Sequence, residues 1–496
     1  MFEKAVPEDL GIRSINIADF LKEVKEARFN MHSLLILRHG KIAAEVYDYP
    51  YRRNDKRLVY STSKTFTSTA VGVAVKEGLL SVEDRVLDYF KEYDTEYLDP
   101  KLNNLTIRNL LMMATGHGQD SIPDICNGGD DWVKTFLTRE MTYEPGTRFV
   151  YDSGGTYMLS EIISHVTGMK MADYLKKKVL DPLEIEDFLW ETHGDVNTGA
   201  WGVLIRPCDL LKLGVLYLNK GKWNEEQILT EEWVETATSN LIPTGTKQYA
   251  SWSRGYGYQI WRNNENSFRA DGAFGQSCMV FPEEDMVIVI TSEESDSSRV
   301  FPLIEKHLLS GLSEEAYMRN AKTYEIMLQR IKQYERPVLS EPSSSYLEYL
   351  LPERHYFFKE EHKMEQYELD FYIDNDKMAF EINGKQRIES SNTSFCEGET
   401  AYVIMPPTAS PIIGEEQRTR KWNYSAHHKW IDDGTLEVDV IYRETGHIQK
   451  WLFTFTGNNL ITVVSNSCKK LVDMVPGVVS DKNMEFADKV FFGKCK

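Results

Sequence analysis

Two residues three apart, Ser61 and Lys64, carry the first chemistry legible in this chain. They lie in Arg57-Leu-Val-Tyr-Ser-Thr-Ser-Lys-Thr-Phe-Thr-Ser-Thr-Ala-Val-Gly-Val-Ala-Val-Lys-Glu-Gly78. A serine hydroxyl is a poor nucleophile until a neighbouring base takes its proton, and an amine can do so only when neutral. Free lysine titrates near 10.4, so poising it near 7 needs a shift of roughly 3 units, or about 4 kcal/mol, from burial and nearby positive charge. The residues that follow suit that task. Phe66, Ala70, Val71, Val73, Ala74 and Val75 are dense enough for a helix buried on most sides, with Gly78 as its stop. A helix starting at about Ser61 sets both side chains on one face.

The plainer reading of the same pair is a helix N-cap followed by a solvated lysine. An identical spacing recurs at Ser467 and Lys470, at the exit of an expected strand, so the spacing alone is cheap. Three further stretches carry polar groups in suggestive places. Pro145-Gly-Thr-Arg-Phe-Val-Tyr-Asp-Ser-Gly-Gly sets Tyr151 and Ser153 on a turn before a helix through Val166 that Gly168 closes. Tyr151 there either points its phenol into a cleft or sits in the core with its hydroxyl satisfied. His117, between two glycines after Thr106–Gly116, reads more readily as a helix C-terminal cap than as a base. Phe268-Arg-Ala-Asp-Gly-Ala-Phe-Gly-Gln276 carries small residues that either let another backbone or a ligand approach a strand edge closely or mark a bulge.

The elements that must position these groups follow from periodicity. Ile15 to Ala27 reads as an amphipathic helix, Ser33–Arg38 and Lys41–Tyr47 as a hairpin turning at His39-Gly40, and the Ser61 helix comes next. Helix, hairpin, helix points to an α+β fold with an antiparallel sheet flanked by helices. The loop from Gln119 to Asp131, rich in Gly, Asp and Pro, reads either as the wall of a pocket or, as is commoner for such composition, as a solvated connector. Tyr256–Trp261, Gln276–Phe281 and Met286–Thr291 read as strands, and Ser313 as the cap of a charged helix reaching about Lys332. Prolines and serines over 337–345 mark a boundary. Beyond it the period becomes two, with Asn383-Gly384 as a hairpin turn, so the C-terminal part is expected to be an all-β barrel or sandwich. The expected division is a first domain over 1–312, a helix and linker over 313–345, and a β domain over 346–496.

Composition narrows the partners. Lys and Arg number 57 against 76 Asp and Glu, a net charge of −19, which makes nucleic acid and anionic membrane surfaces poor partners. The N-terminus lacks an apolar export segment, and no stretch approaches a membrane span, so a cytoplasmic protein is expected. Six scattered cysteines, Cys126, Cys208, Cys278, Cys396, Cys468 and Cys495, fit reduced thiols better than a disulfide framework or a zinc site.

Taken together, Ser61-Thr-Ser-Lys64, Tyr151-Asp-Ser153 and Asp271-Gly272 come in the order and separation of the three motifs of the penicilloyl-serine hydrolases. Residues 10 to about 300 resemble the class C β-lactamase family, which includes the family VIII esterases and D,D-peptidases, with Glu77-Gly-Leu-Leu and Thr106-Ile-Arg-Asn-Leu-Leu in support. The resemblance implies a β-lactamase-like fold, with Ser61 as acylated nucleophile, Lys64 as its proton acceptor and Tyr151 as the relay to the leaving group. It also implies an oxyanion hole from the backbone amides of Ser61 and Ala273, contacts to substrate from Ser153, Asp271 and Gly272, and neither metal nor cofactor.

Two positions depart from the family pattern. Ser153 stands where asparagine is common, and Ala270-Asp271-Gly272-Ala273 where Lys-Thr-Gly is expected. Without that lysine, and with Asp271 nearby, a substrate carboxylate is expected to meet repulsion. The sequence therefore points to an acyl-serine hydrolase for a neutral or cationic ester or amide, small molecule or short peptide, with little penicillinase activity. The alternative is a non-catalytic descendant kept as a binding or scaffold module.

Overall fold

In a computed structural model, residues 2–93, 98–127, 129–245, 252–361, 364–401, 420–467 and 488–495 are described. Lys470, and with it the Ser467–Lys470 pair, lies outside them, as do Cys468 and the side chain of Cys126. The chain forms two compact units, one of 1–47 with 56–333, the other of 48–55 with 334–496.

The first unit is built on a six-stranded antiparallel sheet. Its hairpin is β1 (Met31–Arg38) and β2 (Lys41–Tyr47), and its remaining strands are β3 (Trp261–Arg262), β4 (Phe268–Gly272), β5 (Gln276–Phe281) and β6 (Met286–Ser292). The order across the sheet is β3-β4-β5-β6-β1-β2, so the last strand of the series pairs with the first hairpin. β1, β5 and β6 are buried along their whole length, including the polar His32, Ser33 and Arg38 of β1 and Gln276 and Ser277 of β5. Helix α1 (Ser14–Glu26) buries Ile17, Phe20, Leu21 and Val24, and α2 (Ser63–Lys76) buries all but its last two residues. Helices α3 (Ser153–Thr167) and α4 (Pro207–Leu218) follow, among shorter ones, the former ended by Gly168 at a φ of 66°. Gly214 lets α4 lie against the sheet, since a Cβ there would meet Cys278 Sγ and Val287 at 2.6 Å.

Two expected elements differ. Tyr256–Trp261 is a strand only from Trp261: the chain reverses at Gln259, which has a φ of 61°, and a Cβ at Gly257 would meet Ala237 O at 2.0 Å. The charged helix starts at Ala321 rather than Ser313, because Asn320 is the residue whose Oδ1 accepts from the amides of Lys322 and Thr323. Segment 313–320 is instead tied to the N-terminal turn, with buried Arg38 donating to the carbonyls of Leu10, Gly11 and Ser313.

The second unit is a closed nine-stranded β-barrel with one further strand on its rim. In chain order its strands are β7 (His355–Glu360), β8 (Gln366–Asp374), β9 (Lys377–Ile382), β10 (Gln386–Ser391), β11 (Cys396–Thr400), β12 (Trp422–Asp432), β13 (Thr435–Tyr442), β14 (His447–Thr456), β15 (Asn459–Asn466) and β16 (Lys489–Cys495). Neighbours pair antiparallel in the order β10-β9-β8-β7-β16-β15-β14-β13-β12, and the parallel pair Ser391↔His427 closes β10 onto β12. β11 pairs with β12 outside that circuit. The interior is filled with rings rather than hollow: Phe371, Phe380, Trp451, Phe453 and Phe455 are all buried and in mutual contact.

Candidate active site

The chain enters α2 through a short 3-10 turn, Tyr60–Thr62, that carries Ser61. Tyr60 holds a φ of 49°, a region that bulky residues rarely adopt, and surrounding contacts over-determine it. Its ring packs edge-on to Phe274 at 5.2 Å, Ser63 Oγ donates to its carbonyl at 2.6 Å, and Thr62 Oγ1 donates to Gln276 O at 3.0 Å. The turn is thereby fastened to the start of β5. Ser61 falls on it half-exposed, at the start of the helical turn, ahead of the Thr62 and Ser63 amides that bond back to Val59 O and Tyr60 O.

Lys64 is 2% exposed and directs Nζ to Ser61 Oγ at 3.1 Å and to Ala200 O at 3.0 Å. Burial pulls its pKa down to about 7, against the charges of Asp120 and Asp152, which act to raise it. The shift foreseen from the apolar run is therefore present, supplied by desolvation. Tyr151 shares a hydrogen bond with Ser61, and its ring centroid lies 4.8 Å from Lys64 Nζ. Burial raises the phenol's pKa, so it stays protonated. Trp261 stacks on its ring at 5.9 Å, fixing the plane. The structure thus brings Ser61, Lys64 and Tyr151 together.

Asp152, the next residue, is fully buried and accepts from Thr115 Oγ1 at 2.9 Å, His117 Nδ1 at 2.8 Å and Ser121 N at 3.0 Å. Burial alone would raise its pKa, but the hydrogen bond and charge of His117 outweigh this and hold it near 2. His117 is accordingly neither a helix cap nor a residue aimed at Ser61; it is Asp152's partner beneath the Tyr151 turn, packed against Phe136 at 4.7 Å. Ser121 in turn anchors the loop from Gln119 to Asp131 to Asp152, which holds it inward as a wall rather than a solvated connector. That loop presents Asp120, whose carboxylate accepts from Ser153 N at 2.9 Å and Ser153 Oγ at 3.2 Å. Burial and the neighbouring Asp152 charge raise Asp120 to about 6. The Ser153 hydroxyl is thus directed to Asp120.

The opposite side is the end of β4. A Cβ at Gly272 would meet Val59 O at 2.3 Å and Thr62 Oγ1 at 3.0 Å, so only glycine lets the strand run this close to the Ser61 turn. Ala273 follows the last ladder pair, Gly272↔Gln276, and is half-exposed as the first residue of a helical turn, where its amide has no intrahelical acceptor. Asp271 requires a correction. It is not an isolated anion: Arg269 Nε donates to Oδ1 at 3.1 Å, Ser277 Oγ to Oδ1 at 3.1 Å and Trp252 Nε1 to Oδ2 at 2.8 Å. Arg269 and Asp271 are two apart on one strand face, so the missing lysine is accompanied by a compensated carboxylate.

The family model described as Beta-lactamase matches residues 18–309. The chain belongs to the β-lactamase family. Among curated relatives, the 6-aminohexanoate-dimer hydrolase of Paenarthrobacter ureafaciens is 23% identical over 302 residues, 53% of this chain and 73% of that protein. Protein flp of Staphylococcus aureus (strain COL) is 26% identical over 167 residues, 31% of this chain and 33% of that protein. Among solved structures, EstCE1, described as a hydrolase with promiscuous acyltransferase activity, superposes with a TM-score of 0.50 at 16% identity, covering 60% of this chain and 99% of that one. That likeness establishes the shared fold.

Within this β-lactamase-family site, two participants escaped sequence reading. Asp120 lies in a Gly- and Asp-rich loop, and only its contact with Ser153 marks it. Gln259 knits the floor: its Nε2 donates to the carbonyls of Leu110 and Leu111 at 3.0 Å, while its Oε1 accepts from Thr156 at 2.8 Å. Among the described residues no group of three or more His, Cys, Asp or Glu is disposed to hold a metal ion, and no helix is long and apolar enough to cross a membrane.

Proposed function

We propose that the chain is a serine hydrolase acting through an acyl-enzyme on an ester or amide. The observation that carries this reading is the buried Lys64 amine, held near pKa 7 and 3.1 Å from Ser61 Oγ. Neutral Lys64 takes the Ser61 proton as Oγ attacks the substrate carbonyl. The developing oxyanion lies between the amides of Ser61 and Ala273, each such donor being worth about 2.7–4 kcal/mol in the transition state. Tyr151, bonded to Ser61 and beside Lys64, passes the proton to the departing alcohol or amine. The reverse relay activates a water that frees the acid. The Paenarthrobacter relative is named a 6-aminohexanoate-dimer hydrolase, which is in keeping with an amide substrate here.

Poor β-lactamase activity follows from the third motif, for a different reason than charge repulsion: Arg269 compensates Asp271, so the deficit is the absent lysine donor. A fluorophosphonate probe is expected to label the wild type and Ser467→Ala but not Ser61→Ala. Turnover of p-nitrophenyl butyrate is expected to exceed that of nitrocefin. Labelling that survives Ser61→Ala rejects the mechanism, and an unlabelled wild type favours a binding or scaffold module.

A further inference from the structure

A concavity of about 480 Å3, lined by none of Ser61, Lys64 and Tyr151, has Tyr93, Trp132 and Tyr157 among its rings. That volume is in the range of small-molecule sites. Tyr157 and Glu161 stand one turn apart on α3, and Tyr157 Oη donates to the Glu161 carboxylate. Tyr93 Oη donates to Asp131 Oδ1 at 3.0 Å. Trp132 is clamped flat against His193 at 3.8 Å and edge-on to Tyr157 at 5.0 Å, so the wall is rigid.

Glu92, Asp130, Asp131 and Glu161 also line this space together with His165, and among the described residues no lysine or arginine does. Among the described residues none of the four carboxylates forms an ion pair with a lysine or arginine, whereas Asp209 and Asp271 elsewhere in the unit each pair with an arginine. Like charges gathered against low-dielectric rings repel one another unless a positive group joins them. A hydrated divalent ion fits poorly, since these acids are not disposed as a ligand set. An alkylammonium fits better, because its charge meets carboxylates while its methyl or methylene groups lie on aromatic surface.

We propose that this concavity is a binding site for an organic cation of the alkylammonium class, separate from the Ser61 group. The site does not depend on the hydrolase reading, because binding needs no turnover.

The test is calorimetric titration of the full-length protein with n-butylammonium and tetramethylammonium, with n-butanol as the uncharged control, at low ionic strength. Saturable binding of the ammonium probes, at least tenfold tighter than butanol, is expected. It should weaken at least tenfold in Glu161→Gln/Asp130→Asn and persist unchanged in Ser61→Ala. Asp130→Asn alone, at an exposed side chain, should weaken it measurably and covers the case in which the double variant does not fold. Absence of saturable binding, equal binding by both acidic variants, or loss in Ser61→Ala, which would put the cation beside the serine, each overturns the proposal.

Discussion

The two walls around Ser61 use different physics. On the helical side, Lys64, Asp120 and Asp152 are ionisable groups at the heads of α2 and α3, and Lys64 forms no direct bond to either carboxylate. On the strand side, Asp271 is matched by Arg269, and the decisive residue, Gly272, has no side chain at all. One wall therefore tunes proton affinity by burying an amine that bonds directly to neither carboxylate, and the other sets distance by removing volume. Desolvation leaves a lysine able to titrate near neutrality, whereas Arg269 tempers a strand-side carboxylate whose charge still acts to raise the Tyr151 phenol.

Lys64→Met is the largest break in that contrast. It should lower acylation by about 10²–10⁴-fold as the proton acceptor is lost, while the fold gains. The sign follows from linkage: a lysine whose folded pKa is about 7 binds fewer protons than the unfolded chain between pH 7 and 10.5. Its burial thus costs most below pH 7, and stability recovers as pH rises through that window. Thermal melts should show the variant more stable than wild type by up to about 4 kcal/mol at pH 6, with the gap closing towards pH 10. Equal stability at both pH values would mean the amine is not desolvated.

Gly272→Ala probes the other wall. A methyl 2.3 Å from Val59 O must push β4 from the Ser61 turn, and the expected loss in kcat is about 10²-fold or more, with little change in the pH profile. A shift of the acid limb instead would place the strand in the electrostatic group. Asp120→Asn should do the least to rate and the most to that limb. Asp120 raises the pKa of Lys64, so removing its charge should move the limb to lower pH by about 0.5–1 unit, read from kcat/KM between pH 5 and 9.

The contrast also explains what sequence alone could reveal. Ser61, Lys64 and Tyr151 were legible because a three-residue helical spacing and a glycine-flanked turn are local signals. Gly272 was legible as a small residue on a strand, although its reason, the carbonyl of Val59, is more than two hundred residues away. Asp120 was hidden because a loop reads as polar whether or not Ser121 and Asp152 hold it inward. Gln259 was hidden because a glutamine at positive φ inside Tyr-Gln-Ile-Trp mimics strand alternation. In the second unit, period-two stretches such as Tyr367–Ile373 and Leu436–Tyr442 announced strands. Closure depends on the single pair Ser391↔His427, across chain that carries no local signature of it.

The segment 48–55 has its partners in the barrel unit: Tyr51 Oη donates to Gly446 O at 3.2 Å, Asp55 meets Arg443 at 3.3 Å, and Tyr49 N donates to Tyr334 O at 2.8 Å. The second unit is therefore not a detachable tail. Cutting the gene after codon 333 would strand eight residues, five positions upstream of the nucleophile turn, without the groups that hold them. Dissecting the protein into halves calls for a circular permutation or a redesigned bridge between Tyr47 and Lys56, not a stop codon.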